Sequence, residues 1–302
     1  LLFYGVISMC LTRKGNHKSM SIQTENSQGI SHDCLQWEKP LYIEAAVSYY
    51  CGMGRNFRSK GVILKAYRVA EYHKGLVIIS PEVGIFHATA FGAYKGKSKL
   101  SGVTEPFTEG DFLLYHDPVK DRYKITDVMP LTYHEELRTD LDRYYTGLFW
   151  SELLIKSFGG GSEYAQLYSL LHSALNFLGT TRHIDRANLQ FVWRYLDITG
   201  FLPDLSVCAA CGRPIGPGDM LFWRAGEFIG RDCASATGEQ QELHSLSPAA
   251  RKYLLHTAGL APEKTEGIGL SGSEMGGLRQ LLYAVLEDVI GFQLNTLQKG
   301  VV

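Results

Sequence analysis

The chain has 302 residues, 45% hydrophobic and 20% charged, which excludes a wholly disordered protein and leaves room for two domains or one large one. Thirty basic against 31 acidic residues give a formal net charge of −1, so the overall charge does not advertise a nucleic-acid partner. Six cysteines are too few for a disulfide scaffold at this length, and no apolar run reaches the roughly 18–20 residues that cross a bilayer.

The opening LLFYGVISMCL is short and is followed, not preceded, by Arg13, Lys14 and Lys18. A secretory signal has the opposite order, so a cytoplasmic protein is expected. The stretch 14–33 is polar and shows neither helical nor strand periodicity. A clear pattern begins only at Met53. Residues 1–54 are therefore expected to be a disordered or non-native extension, with the native start at or near Met53.

Charge is distributed unevenly. Residues 55–130 hold 12 basic and 8 acidic side chains, net +4, while the remainder holds 18 and 23, net −5. The basic region also reads as strands: GVILKAY (61–67), LVIIS (76–80), GIFHATAFGA (84–93), DFLLYHD (111–117) and RYKITDV (122–128), separated by turn residues such as Lys74-Gly75, Pro81-Glu82 and Asp117-Pro118. Five strands in about 75 residues predict a small closed β-barrel over 55–130; an OB-fold and an SH3-like barrel give nearly the same pattern.

After Pro130 the period becomes helical. Leu137, Leu141, Tyr144 and Leu148 predict a helix over 135–158, ended by Gly159-Gly160-Gly161, which reads as a flexible joint. Helices are also predicted near 163–178, 186–199, 247–258 and 274–297, the last with Leu278, Leu281, Leu282, Val285, Val289 and Phe292 in one stripe. A loop-rich cysteine module at 205–235 interrupts this domain of 131–302. The fold class is thus α+β and multidomain: a five-stranded barrel, then an all-helical domain with an inserted zinc-ribbon-like module.

Cys208-Ala-Ala-Cys211-Gly212 has the form of a zinc knuckle, and Cys233 supplies a third thiol. A second C-x-x-C would begin at position 230, which is Gly230, and His244 follows no standard spacing as a fourth ligand. One structural zinc, a decayed site and redox chemistry remain open, although the last lacks a thioredoxin-like βαβ context. Gly96-Lys97-Ser98 imitates the tail of a phosphate-binding loop. The required upstream glycine falls on Phe91 and no helix follows, so no nucleotide cofactor is expected.

The segment FGAYKGKSK (91–99) points elsewhere. Lys95, Lys97 and Lys99 alternate with small residues behind Phe91 and Tyr94, a pattern suited to tracking a phosphodiester backbone beside stacking faces. Arg58, Lys60 and Arg68 lie in or beside the first strand of the same barrel. No nucleophile elbow, zinc-protease motif or carboxylate pair is present, so the protein is not expected to be an enzyme. His87 and His116 read as surface or packed histidines, and Glu287 and Asp288 as the wet face of the last helix.

These elements in order give the chain a family likeness. Gly61-Val-Ile-Leu64, Ala93-Tyr-Lys-Gly-Lys-Ser-Lys-Leu-Ser-Gly102, Glu105-Pro-Phe107, Gly200-Phe-Leu-Pro-Asp-Leu-Ser-Val-Cys-Ala-Ala-Cys-Gly212, Gly226–Cys233 and Leu246-Ser-Pro248 resemble the RecO family, bacterial recombination mediators of the RecF pathway, over some 250 residues from Met53. The resemblance implies an OB-fold, a helical domain and a zinc module. It also implies binding of single- and double-stranded DNA, annealing of complementary strands, and contact with RecR and single-stranded-DNA-binding protein, so that RecA loads onto gaps; a nucleoid-associated location follows. Zinc-bearing members carry C-x-x-C twice, and Gly230 departs from that. Where the tail of the single-strand-binding protein would dock is expected to be a groove among the C-terminal helices, with Arg251 or Arg279. The alternative is a protein-interaction adaptor with no direct DNA role.

Overall fold

The computed structural model describes residues 55–157, 163–236 and 244–300, with the backbone of 8–14 and 17–23. The chain divides into two compact units, 1–52 and 53–302. In the first, β1 (Ser8–Lys14) and β2 (His17–Gln23) form an antiparallel hairpin. In the sequence HKSMSIQ of β2 only Met20 and Ile22 alternate with polar residues, too few to stand out as a strand period. The rest of the expected 1–54 extension lies outside the described residues.

In the second unit, β3 (Asn56–Arg68), β4 (Lys74–Ser80), β5 (Gly84–Ala90), β6 (Glu109–Asp117) and β7 (Arg122–Thr132) close a barrel in the order β3-β4-β5-β7-β6. All pairs are antiparallel except β5–β7. This is the OB-fold order. Stepping across the barrel through Arg68, Lys74, Ala90, Ile125, Leu114 and Phe57 returns to β3 11 residues upstream, so the strands are strongly sheared and tilted. The strand read at 84–93 stops at Ala90, because the chain turns at Phe91.

Among the described residues, seven helices follow β7: α1 (Glu135–Thr139), α2 (Leu141–Lys156), α3 (Tyr164–Thr180), α4 (Ile184–Ile198), α5 (Arg231–Ser235), α6 (Pro248–Thr257) and α7 (Gly272–Ile290), with a short α8 (Asn295–Gln298) beyond them. The single helix expected over 135–158 is two. Asp140 adopts an extended conformation and its carboxylate accepts the N–H groups of Asp142 (3.0 Å) and Arg143 (3.2 Å), so it caps a new helix. The last helix also ends early, at Gly291, whose φ of +67° closes α7. Ser247 before Pro248 and Ser271 before Gly272 cap α6 and α7. The cysteine insertion is more ordered than a loop: β8 (Leu221–Arg224) pairs with β9 (Glu227–Gly230) and β10 (Ser245–Leu246), and Trp223 Nε1 donates to Asp288 Oδ2 on α7 at 2.6 Å.

Two apolar cores meet at the barrel wall. Ile63, Leu76, Ile78, Phe86, Phe112, Leu114 and Ile125 fill its inside, whereas Val62, Leu64, Val77, Ile79 and Ile85 join the helical core with Leu153, Leu171, Leu175 and Leu178. Phe107 pins the two together. It is buried against Tyr144 (ring centroids 5.7 Å apart), and a methyl group on Gly147 would lie 2.8 Å from its ring, so only glycine lets the helix come this close. Its backbone sits at a φ of +66°, and Arg138 holds the turn by donating to the Pro106 carbonyl and the Thr108 hydroxyl.

Polar groups complete the junction. Glu109 accepts from the Tyr168 hydroxyl (2.7 Å) and pairs with His172 Nδ1 (2.8 Å). His134 lies beside them in the left-handed region, 2% exposed, its Nε2 without a hydrogen-bond partner among the described residues. Deeper in the helices, Asn188 accepts from Trp150 Nε1 (2.9 Å) and donates to the Tyr283 hydroxyl (2.5 Å).

Two stability predictions follow from these contacts. Asn188→Ala strands the Trp150 N–H and opens a void, and urea melts are expected to show a loss of about 2–4 kcal/mol. Burial lowers the His134 pKa against the opposing pull of Glu136, so the folded state resists the protonation that the unfolded chain accepts. Stability contributed by this group is therefore present above pH ~6.5 and lost as pH falls below it. His134→Asn, which tolerates the left-handed backbone, is expected to make the melting temperature fall less between pH 7.5 and 5.5.

Candidate nucleic-acid interface and metal centre

The barrel presents its cations around aromatic rings. The Arg68 guanidinium lies 4.7 Å from the centroid of the Tyr94 ring, and the Lys74 ammonium 5.2 Å from the same centroid. Lys95 reaches the Tyr72 ring at 5.9 Å, and Lys124 reaches Phe91 at 5.9 Å and Tyr115 at 5.1 Å. His73 meets Phe91 edge to face at 4.8 Å. The β3–β4 hairpin, the loop after β5 and the outward faces of β6 and β7 thus form one cationic, aromatic surface.

The loop 91–99 owes its shape to buried anchors. Lys74 is 3% exposed, and its ammonium donates to the carbonyls of Ser101 (3.2 Å) and Thr104 (3.4 Å) and to Glu105 Oε1 (2.5 Å). Gly92 N–H donates to His73 Nδ1, and Tyr94 N–H to the Tyr72 carbonyl. Ala93 is buried, which leaves Phe91, Tyr94, Lys95, Lys97 and Lys99 exposed around it. Phe91, 51% exposed against 38% for Tyr94, offers the more open stacking face.

Arg58 and Lys60 stand apart from this cluster. Both face outward on β3, opposite Leu113 and Asp111. Arg58 is about 7 Å along the strand from Asn56, the partner of Tyr115, and so borders the same surface. Lys60 lies farther on, where Asp111 offsets its charge. Lys124, Tyr115, Tyr72 and His73 are additions that sequence reasoning missed. Lys124 and Tyr115 occupy outward positions of alternating strands, and only the β6–β7 register shows that they face each other. His87 is exposed on β5; His116 stacks on Tyr123 at 4.6 Å and bonds to Asp121.

Helices α2 and α3 pack on the outer side of β3 and β4, and every residue of β4 is buried. The strand 2–3 face on which OB-folds often hold oligonucleotides is therefore half covered. The open side runs over β6, β7 and the 91–99 loop.

The cysteine module brings its three thiols together. The sulfurs of Cys208, Cys211 and Cys233 lie within 4.8 Å of one another, on a geometry able to hold a metal ion. The knuckle is built from the backbone: Gly212 N–H donates to the Cys208 carbonyl (2.8 Å), Cys208 N–H to the Arg213 carbonyl (2.9 Å), and Gly230 N–H to Cys208 Sγ (3.2 Å). Burial pushes the Cys208 thiol up, but the N–H of Gly230, then the N–H and thiol of Cys211 and the N–H of Ala210, outweigh it and bring it down to about 7. Bonds from Cys211 and Cys208 push Cys233 up to about 11, so it ionises after Cys208. His244 does not join them: it lies beside β8, its carbonyl accepting from Trp223 N–H.

The two arginines considered for partner docking differ. Arg279 is paired with Asp185 at 3.1 Å. Arg251 is 6% exposed, bonded through Nη2 to the Gly216 carbonyl, and its Nη1 has no partner among the described residues. It borders a largely apolar groove formed with Ile215, Pro217, Pro248, Lys252 and Leu255. No described helix is long and apolar enough to cross a membrane.

Two sequence profiles match this chain: "Recombination protein O N terminal" over residues 53–133 and "Recombination protein O C terminal" over residues 138–298. Among curated proteins, a DNA repair protein RecO from Exiguobacterium sp. is 28% identical over 237 residues, covering 78% of this chain and 92% of that protein. The DNA repair proteins RecO of Desulforamulus reducens (29% over 182 residues, 59% and 69% covered) and Heliobacterium modesticaldum (27% over 213 residues, 69% and 76% covered) are also similar. With the barrel and the helical domain each matched in order, the chain belongs to the RecO family of DNA repair and recombination proteins.

Proposed function

We propose that this chain is a non-catalytic mediator of recombination that binds single- and double-stranded DNA, anneals complementary strands and, with RecR, helps load RecA onto DNA coated with single-stranded-DNA-binding protein. The observation that carries this reading is the ring of Arg68, Lys95 and Lys124 over Tyr94, Tyr72, Phe91 and Tyr115 on the open side of the barrel. Lys95, Lys97 and Lys99 meet phosphates, with Arg68 and Arg58 extending the track and Lys60 contributing least. Counterion release then gives affinity without base preference. Phe91 and Tyr94 supply faces for unpaired bases. Annealing requires two strands screened from each other with their bases free, and such a surface does this without nucleotide hydrolysis.

On this reading the functional division is 1–54, 55–130 and 131–302, with module 205–235 holding one structural zinc on Cys208, Cys211 and Cys233, and the protein works in the cytoplasm at the nucleoid. The groove beside the buried Arg251 supports docking of the single-strand-binding protein's tail, with Lys252 as its cation. The same groove is what favours the alternative, an adaptor that holds proteins and does not touch DNA.

Salt dependence separates the two. Annealing of complementary fluorescent oligonucleotides without ATP is expected to accelerate with the protein and to fade at high salt; no DNA affinity at low salt leaves the adaptor. Replacing Lys95, Lys97 and Lys99 by Ala is expected to weaken binding on all sequences and to reduce the slope of log K against log [salt] by about 2–3. An unchanged slope removes the loop from the phosphate contacts. Phe91→Ala is expected to cost about 1–3 kcal/mol with single strands and little with duplex, measured by fluorescence anisotropy on both.

A further inference from the structure

Three sulfurs define three corners of a tetrahedron, and among the described residues no side chain supplies the fourth. Ligands of a tetrahedral zinc with Zn–S bonds of ~2.3 Å stand roughly 3.8 Å apart, close to the spread of at most 4.8 Å among Cys208, Cys211 and Cys233. Gly230 borders the first of these corners, its N–H donating to Cys208 Sγ. A Cβ built there lies 3.9 Å from Cys208 Sγ and 3.4 Å from Ile215 Cδ1, in ordinary contact, and the φ of −73° suits any L-residue. A side chain at position 230 would therefore start beside Cys208 Sγ without strain, and the glycine leaves that space unfilled. It opens into a cavity of about 360 Å³ that is lined by the three cysteines, Gly230, Ile215 and Met220.

Neighbouring groups are committed elsewhere. Asp219 Oδ2 accepts from Gly216 N–H at 2.7 Å, Asp232 pairs with Arg213 at 3.5 Å, and Met220 Sδ accepts from Arg231 Nη2 at 3.1 Å. The rim's two arginines are balanced by its two aspartates. A divalent ion on three thiolates already carries a net −1, so nothing draws a further anion to the corner. A neutral donor suits it.

We propose that the metal centre of this chain is an open three-thiolate site, whose fourth position takes an exchangeable neutral donor from solution: water, or a small nitrogen ligand of the imidazole class. This deepens the reading of the cysteines as a metal centre and rests on it. It makes the module a site where a ligand can bind to the metal, in addition to a staple that holds the insertion folded.

The test uses the full chain loaded with Zn²⁺ or Co²⁺. X-ray absorption of the zinc form is expected to count three sulfurs and one nitrogen or oxygen, and imidazole is expected to shift the visible d–d bands of the cobalt form saturably. In Gly230→Cys the count is expected to become four sulfurs, imidazole to leave the bands unmoved, and loss of metal to a chelator to slow by about tenfold or more. A wild-type protein that binds neither ion overturns the metal reading and this inference together. A wild-type protein that binds metal, yet shows four protein-like donors and no response to imidazole, overturns the open corner alone. The wild-type measurements decide the question even where the variant does not fold.

Discussion

Strands β3 and β4 send alternate side chains into two different cores, and this double burial is the constraint on which the rest of the molecule depends. Ile63, Leu76 and Ile78 point into the barrel; Val62, Leu64, Val77 and Ile79 point into the helices. At about 1.5–3 kcal/mol for each large aliphatic side chain removed from water, the outward set alone outweighs what surface contacts could supply. It also decides where function can reside. With β4 covered on both sides, the clustered cations and rings of the barrel are displaced to β6, β7, the β3–β4 turn and the loop after β5.

Much of this architecture was legible because periodicity reports burial. LVIIS has no alternation, which reads as a strand and equally as a strand buried twice, and the structure shows the second. Leu278, Leu281, Leu282 and Val285 of the expected stripe are buried, whereas Val289 is half-buried and Phe292 falls beyond the helix. The errors fall where a single residue changes the backbone without disturbing the apolar pattern. Asp140 breaks a helix because its side chain satisfies the next turn better than continuation does, and Gly291 ends another by turning left-handed. The short strands β8, β9 and β10 were hidden for a different reason: each has four residues or fewer, too few to display a period.

The candidate sites were legible in part. Lysines in FGAYKGKSK and thiols in CAAC are local strings, so the chain announces them. Lys74 is also local but looks like any turn lysine, and its burial against Ser101, Thr104 and Glu105 emerges only when the long loop folds back. Lys124 and Tyr115 become partners through a cross-strand register that no string encodes. Gly230 was visible as a departure from a pattern. What the departure means required three dimensions, since only the folded chain brings its N–H and the place of its absent Cβ beside Cys208 Sγ.

Phe107 and its glycine partner have a bearing on modularity. The two profiles that match the chain meet between residues 133 and 138, which invites treating barrel and helices as interchangeable parts. Cutting there would leave Val62, Leu64, Val77, Ile79, Ile85 and Phe107 on the outside of a freed barrel, a greasy wall on so small a body. A chimera with another member's helices would need a gap of the same depth opposite the ring, and Gly147 makes that gap by having nothing there. The halves are thus co-adapted: exchange between relatives has to carry the plug and its socket together.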